Sequence, residues 1–250
     1  MSKKLDGRVA VVTGASKGIG AAIAEHLAAA GAAVVVNYAS SRAGADAVVE
    51  RIGTSGGKAI AVQADISKLE DIRRLFAETQ KAFGRLDILV NNAGVYDFAP
   101  LEAINAEHFH KHYDLNVLGL LLATQEAVKH FGPSGGSIIN ISSIVATLAL
   151  PNASVYSGTK AAVVAITRSL ALELGPRKIR VNAIAPGVIE TEGLNAAGIS
   201  GSDFEKQAVV KTPLGRVGQP QDIAPAAVFL CSADSSFLTG ETLYITGGFR

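Results

Sequence analysis

The 250-residue chain has one cysteine, one methionine, no tryptophan and a formal net charge of only +1. Each scarcity excludes something. A single cysteine cannot close an intramolecular disulfide or build a thiolate metal site, so nothing favours an oxidising compartment and a cytoplasmic location is expected. The 23 basic and 22 acidic residues nearly cancel, which leaves no electrostatic footprint for nucleic acid. No run of about 18 apolar residues is present, so no membrane span is expected, and the opening MSKKLDGR carries no apolar signal core. Charged residues are scarce as well, 18% against 48% hydrophobic, which is the composition of a chain that folds. No repeat or low-complexity linker divides it, and residues 1–250 read as one domain.

What is present is alternation. Short β-branched runs begin at Val9, Val34, Ala59, Ile88, Ser137, Ile179 and Thr242. Helix-patterned stretches separate them: Gly18–Ala30, Ser41–Gly53, Ile66–Phe83, Ala106–His130, Ser154–Leu174 and Gln221–Cys231. The strand runs are apolar throughout, so both sheet faces must be covered. Strands alternating with helices predict right-handed βαβ units and a doubly wound α/β domain with a seven-stranded parallel sheet. The polar, glycine- and proline-containing stretch 190–218 breaks the rhythm and is expected to form a lid over a site.

The first strand runs into Thr13-Gly14-Ala15-Ser16-Lys17-Gly18-Ile19-Gly20 and then a helix-forming series. Glycines here permit a tight turn and close backbone approach. The helix start that follows offers free amides and a positive dipole end to a pyrophosphate. The plain alternative is a turn that only packs a helix against a strand.

Tyr156 and Lys160 are four residues apart, on one face of a helix with apolar flanks. A nearby ammonium favours a phenolate and is expected to lower the tyrosine pKa, which makes the pair an acid–base device for alcohol and ketone. Ser142 and Ser143 end a strand, where ligands of open parallel sheets bind, and either hydroxyl could polarise a substrate oxygen. Asn116 sits inside a long helix, a position where asparagine competes for backbone groups and so suggests a buried role. His108 and His112 share a helix face, but no third ligand stands nearby in sequence, and no metal site is expected.

Four motifs in this order, TGxxxGIG, Asn91-Asn92-Ala93-Gly94, Tyr156-Ser157-Gly158-Thr159-Lys160 and Pro186-Gly187, resemble the short-chain dehydrogenase/reductase family, over nearly the whole chain. The stretches ALELGPRKIRVNAIAPGVIET and FLTGETLYITGG are most similar to its 3-oxoacyl-carrier-protein reductase and ketoreductase branch. The resemblance implies a Rossmann fold with strand order 3-2-1-4-5-6-7 and usually a homotetramer. It implies catalytic roles for Asn116, Ser143, Tyr156 and Lys160, with Ser143 chosen over Ser142 and Asn116 holding a water beside the lysine. It implies cofactor contacts at Gly14, Ser16, Lys17, Gly18, Ile19 and Gly20, at Tyr38, Ala39, Ser40 and Ser41, at Asp65 and Ile66, at Asn92, Ala93 and Gly94, at Tyr156 and Lys160, and at Pro186, Gly187, Ile189 and Thr191.

No acid follows the second strand before Asp46, which removes the barrier to a ribose 2′-phosphate; Ser40, Ser41 and Lys17 can bind one. NADP(H) is therefore the expected cofactor, with NAD(H) as the alternative. The expected activity is reversible reduction of a ketone or 3-oxoacyl group. A sugar or polyol dehydrogenase is the second reading, and a cofactor-binding sensor without turnover the third.

Overall fold

A computed structural model describes residues 3–196 and 201–249. The alternation is laid out as seven strands in one parallel sheet of order β3-β2-β1-β4-β5-β6-β7. The strands are β1 (Val9–Val12), β2 (Ala33–Tyr38), β3 (Lys58–Gln63), β4 (Ile88–Asn91), β5 (Gly136–Ile141), β6 (Ile179–Pro186) and β7 (Thr242–Ile245). The main helices are α1 (Gly18–Ala29), α2 (Arg42–Thr54), α3 (Leu69–Phe83), α4 (Ala106–Tyr113), α5 (Leu120–His130), α6 (Ser154–Leu174), α7 (Glu192–Ala196), α8 (Asp203–Lys211) and α9 (Pro220–Cys231).

The two-residue period of the strands explains the layers. Ala10, Val12, Val34 and Val36 face α1, α2 and α9, whose Leu27, Val48, Ile223 and Leu230 are fully or almost fully buried. Val11, Val35, Leu89 and Ile138 face the other way, onto Ile72, Leu75 and Phe76 of α3 and Ala123 and Ala127 of α5. Register holds the central strands level, with Val11 opposite both Val35 and Leu89, and Leu89 opposite Ile138.

Two elements differ from expectation. The stretch read as one helix from Ala106 to His130 contains a π-helical segment, Asp114–Gly119, between α4 and α5. A wider turn of this kind bulges the backbone and re-aims its side chains; Asn116 lies inside it, buried. The stretch 190–218 is more structured than its polar composition suggests. It carries α7 and α8, and a parallel bridge between Ile189 and Gly218 ties its two ends together. Gly198 and Ile199, counted in the expected lid, lie outside the described residues. Among the described residues no helix is long and apolar enough to cross a membrane, and no group of His, Cys, Asp or Glu could hold a metal ion.

Candidate active site

The sheet order reverses direction between β1 and β4, and a crevice opens beyond the carboxyl ends of the strands at such a point. Here it is a cavity of about 550 Å³. Its wall is built from loop after loop: 14–20 behind β1, 39–41 behind β2, 64–66 behind β3, 92–98 behind β4 and 142–145 behind β5. Residues 186–194 after β6 and Phe249 after β7 complete it, with Tyr156 and Lys160 entering from α6.

The turn behind β1 is held by polar side chains whose bracing role the sequence does not reveal. Thr13 Oγ1 accepts from the backbone N–H groups of Asn92 and Ala93, both at 3.0 Å, and donates to the Val90 carbonyl at 3.2 Å. Asn37 is 1% exposed; its Oδ1 accepts from the Gly14 N–H at 3.1 Å while Nδ2 donates to the Val62 and Ala64 carbonyls. Asn92 Nδ2 donates to the carbonyls of Thr13 and Gly14. These bonds lock β1, β2 and β4 together at the point where the turn folds over. Gly14 has φ +61°, and a Cβ there would come within 2.9 Å of the Ala93 Cα, so only glycine lets the turn lie against the loop behind β4. Lys17 caps α1 with no side-chain bond, and no acid stands in the first turn, so the helix start keeps free amides and a positive end. The donor set suits a pyrophosphate.

Behind β2, Ala39, Ser40 and Ser41 line the cavity. Arg42 does not; it is exposed and pairs with Asp46 at 3.4 Å. Burial alone would raise the Asp65 carboxyl, but hydrogen bonds from the Ser67 hydroxyl and N–H hold it below the ordinary aspartate value.

At the chemical end the two serines separate. Ser142 is buried and its hydroxyl donates to the Lys160 carbonyl at 2.9 Å, fastening β5 to α6. Ser143 caps a short turn, Ile144–Ala146, and its hydroxyl faces the Tyr156 phenol. Burial pushes that phenol up to about 12; the Ser143 hydroxyl works against the rise and Tyr96 adds to it. Burial brings Lys160 down to about 8. Its Nζ sits 5.7 Å from the centre of the Tyr156 ring and donates to the Ile141 carbonyl at 2.9 Å. The expected lowering of the tyrosine by the lysine is therefore not what the structure shows. Desolvation dominates at both groups, and the ammonium is directed at a backbone carbonyl.

Of the residues given a catalytic or cofactor-binding role from the sequence, all line the cavity except Tyr38 and Asn116. Tyr38 shares the two-residue phase of Val34 and Val36, which turns its side chain into the core layer under α1 and α2. Asn116 lies behind the wall. Its Oδ1 accepts from the Val95 N–H at 2.9 Å, and its Nδ2 donates to the Val95 carbonyl at 2.8 Å and to the Thr159 hydroxyl at 3.2 Å. With both ends of its amide committed, it fixes the loop behind β4 against α6, and the side chain makes no hydrogen bond to Lys160.

Sequence reasoning also missed the aromatic wall. Tyr96, Phe98, Phe204 and Phe249 all line the cavity, joined by Leu148 and Leu194. The rings of Tyr96 and Phe98 stand 6.1 and 6.2 Å from that of Tyr156, the second edge-on. These residues come from separate loops and from the short helices α7 and α8, so only the spatial arrangement brings them together.

Relatives are similar in sequence and fold. A family model described as Enoyl-(Acyl carrier protein) reductase matches residues 14–250. The chain is 60% identical over 247 residues, 99% of each chain, to an uncharacterized oxidoreductase of Methylorubrum extorquens. It is 41% identical over 257 residues to a hydroxynaphthalene reductase-like protein of Metarhizium majus, covering 98% of this chain and 96% of that one. A short-chain dehydrogenase of Burkholderia cenocepacia, solved in complex with NADP, superposes with a TM-score of 0.92 at 35% identity over 98% of both chains. The sheet order, the glycine turn and these likenesses agree, and the chain belongs to the short-chain dehydrogenase/reductase family of oxidoreductases.

Proposed function

We propose that the chain is an NADP(H)-dependent carbonyl reductase that interconverts an apolar ketone or 3-oxoacyl group with the secondary alcohol, and that it uses NAD(H) less well. The observation that carries the reading is the convergence of the Ser143 hydroxyl and the Tyr156 phenol, with Lys160 one helical turn away, on an aromatic-walled cavity. When bound, the dinucleotide supplies the hydride.

The chain's own residues do the rest. The amides at the start of α1, with Ser16 and Lys17, hold the pyrophosphate. Ser40 and Ser41 donate to a 2′-phosphate that no carboxylate at the end of β2 repels. In the reducing direction the Ser143 hydroxyl holds the ketone oxygen and the Tyr156 O–H donates its proton to that oxygen as negative charge develops there. A phenol held near 12 stays protonated over the whole working range, so it is poised to give a proton. Lys160 binds the nicotinamide ribose and, with a pKa of about 8, exchanges protons close to neutrality. Oxidation runs through the same groups in reverse.

Apolar and aromatic walls favour this reading over a polyol dehydrogenase, whose substrate needs more hydrogen-bond partners. The complete set of Ser143, Tyr156 and Lys160 favours it over a sensor. The NADP-bound relative and the reductase named among the relatives are consistent with it. The test is to follow NADPH absorbance with a panel of apolar ketones and a panel of sugars and polyols. Ketone-dependent oxidation of NADPH is expected. Turnover of the polyols alone, or of nothing in either panel, contradicts the proposal.

A further inference from the structure

Two threonines of α6 are bonded alike. Thr159 and Thr167 are both fully buried, and each hydroxyl donates back along the helix while accepting from an asparagine amide of another element. Thr167 Oγ1 donates to the Val163 carbonyl at 2.8 Å and accepts from Asn140 Nδ2 of β5 at 2.9 Å. Thr159 Oγ1 donates to the Tyr156 carbonyl at 2.7 Å and accepts from Asn116 Nδ2 at 3.2 Å. The Thr167 pair fastens the sheet to the helix roughly 12 Å further along the axis, at 1.5 Å per residue. The Thr159 pair ends on the backbone of the proton donor itself.

Thr159 is thus the middle link of a chain across the site. Asn116 grips the Val95 peptide on both edges, passes an amide hydrogen to Thr159, and Thr159 passes its own to Tyr156. Two glycines let these parts come close. At Gly94 a Cβ would lie 3.0 Å from Asn116 Oδ1 and 3.7 Å from Lys160 Nζ, so the loop behind β4 touches both the π-helical segment and the lysine. At Gly158 a Cβ would lie 2.7 Å from the Tyr113 hydroxyl, which rests against α6 in the same turn as Tyr156 and Thr159. The spacing between the cavity-lining loop and the first turns of α6 is therefore set at this brace.

Resting on the reading above that Tyr156 gives the proton, we propose that Thr159 is a positioning residue for the reaction. Its hydroxyl fixes where the Tyr156 phenol stands relative to the Ser143 hydroxyl and to the loop behind β4. Valine keeps the branched shape of the side chain and removes only that hydroxyl. One buried Asn116 N–H then lacks its acceptor, and the start of α6 is no longer tied to the loop. A misplacement of about 1 Å at a reacting group can cost about a hundredfold in rate, so a shift of about half that costs on the order of tenfold.

The experiment compares Thr159→Val, Thr159→Ser and Thr167→Val with the wild type in ketone reduction at saturating NADPH, in calorimetric NADPH binding and in crystal structures. Thr167→Val reports what the bare loss of a buried, asparagine-bonded hydroxyl on α6 does. In Thr159→Val kcat is expected to fall by about tenfold, with NADPH affinity within about threefold. Thr159→Ser restores kcat to within about threefold of the wild type, and Thr167→Val keeps it there. The inference is overturned by a kcat in Thr159→Val within about threefold of the wild type, by an equal loss in Thr167→Val, by a serine that does not restore the rate, or by NADPH affinity that falls in step with kcat. Where Thr159→Val does not fold, Thr159→Ala takes its place in every comparison. A wild type that reduces no ketone defeats the carbonyl-reductase reading, and the crystal structures then decide the role of Thr159 separately. A Tyr156 Oη displaced from Ser143 Oγ in Thr159→Val but not in Thr167→Val supports it, and an unmoved Tyr156 refutes it.

Discussion

Lys160 is held at a cost to the fold, and replacing it with methionine exposes that cost. The side chain is 7% exposed and its Nζ has one described partner, the Ile141 carbonyl at 2.9 Å. Burial lowers its pKa from 10.5 to about 8, and at about 1.4 kcal/mol per unit the penalty on the charged form is roughly 3 kcal/mol. Below pH 8 the lysine is charged in both the folded and unfolded states and the folded state bears the whole penalty. Between 8 and 10.5 the unfolded chain binds more protons than the folded one, so stability from this group rises with pH, and above 10.5 the penalty is gone. Methionine removes the charge and keeps most of the volume, but forfeits a hydrogen bond worth about 1 kcal/mol. Lys160→Met should therefore be more stable than the wild type at pH 7 by about 2 kcal/mol, or roughly 4 °C or more in Tm for a chain of this size. That advantage should shrink toward zero or reverse by pH 10.5. Thermal or urea denaturation of both proteins at fixed concentration across pH 7 to 10.5 reads it directly. A variant less stable than the wild type at pH 7, or a difference that does not change with pH, refutes the reasoning.

The two adjacent serines should part company. Ser143→Ala should lower kcat by about 100-fold with little change in stability, as the loss of one oxygen-holding donor does. Ser142→Ala should leave kcat within a few fold but destabilise the fold by about 1 kcal/mol, because the buried bond that fastens β5 to α6 is lost. Paired steady-state kinetics and denaturation distinguish the two patterns. Catalytic efficiency with NADPH should exceed that with NADH by at least about tenfold, one good charge-assisted contact, and equal efficiencies would remove the assigned roles of Ser40, Ser41 and Lys17. Light scattering after size exclusion should give four copies; Leu118 and Leu172, exposed on the π-helical segment and α6, are apolar surface that such an assembly would cover, and a monomer would contradict this.

Much of this was legible in the sequence because the relevant signals are local. Continuous β-branched runs such as VAVVT and IRVNAI mark strands covered on both faces, and the sheet uses both faces of Val11 and its neighbours as that requires. The glycine turn and the Tyr156–Lys160 spacing each compress a site into a few positions. What was not legible depends on distant contacts. Asn116 looks like an ordinary mid-helix asparagine until the π-helical segment turns it onto Val95, and no local pattern announces a π turn. Tyr38 adjoins the cofactor loop in sequence, yet strand phase buries it in the core. The pKa of Tyr156 follows from how much of the protein surrounds it, so the nearby lysine predicted the wrong direction. Phe98 and Phe249 come from separate loops and Phe204 from α8, and only the folded chain brings them to one wall.

The central claim is that the Tyr156 O–H gives the proton that completes ketone reduction. It is tested most directly by ketone-dependent NADPH oxidation in Tyr156→Phe at saturating cofactor, with NADPH affinity measured alongside. The account predicts turnover lower by about 100-fold or more, the usual worth of a general acid, with NADPH affinity within about twofold of the wild type. Full turnover in Tyr156→Phe would contradict it.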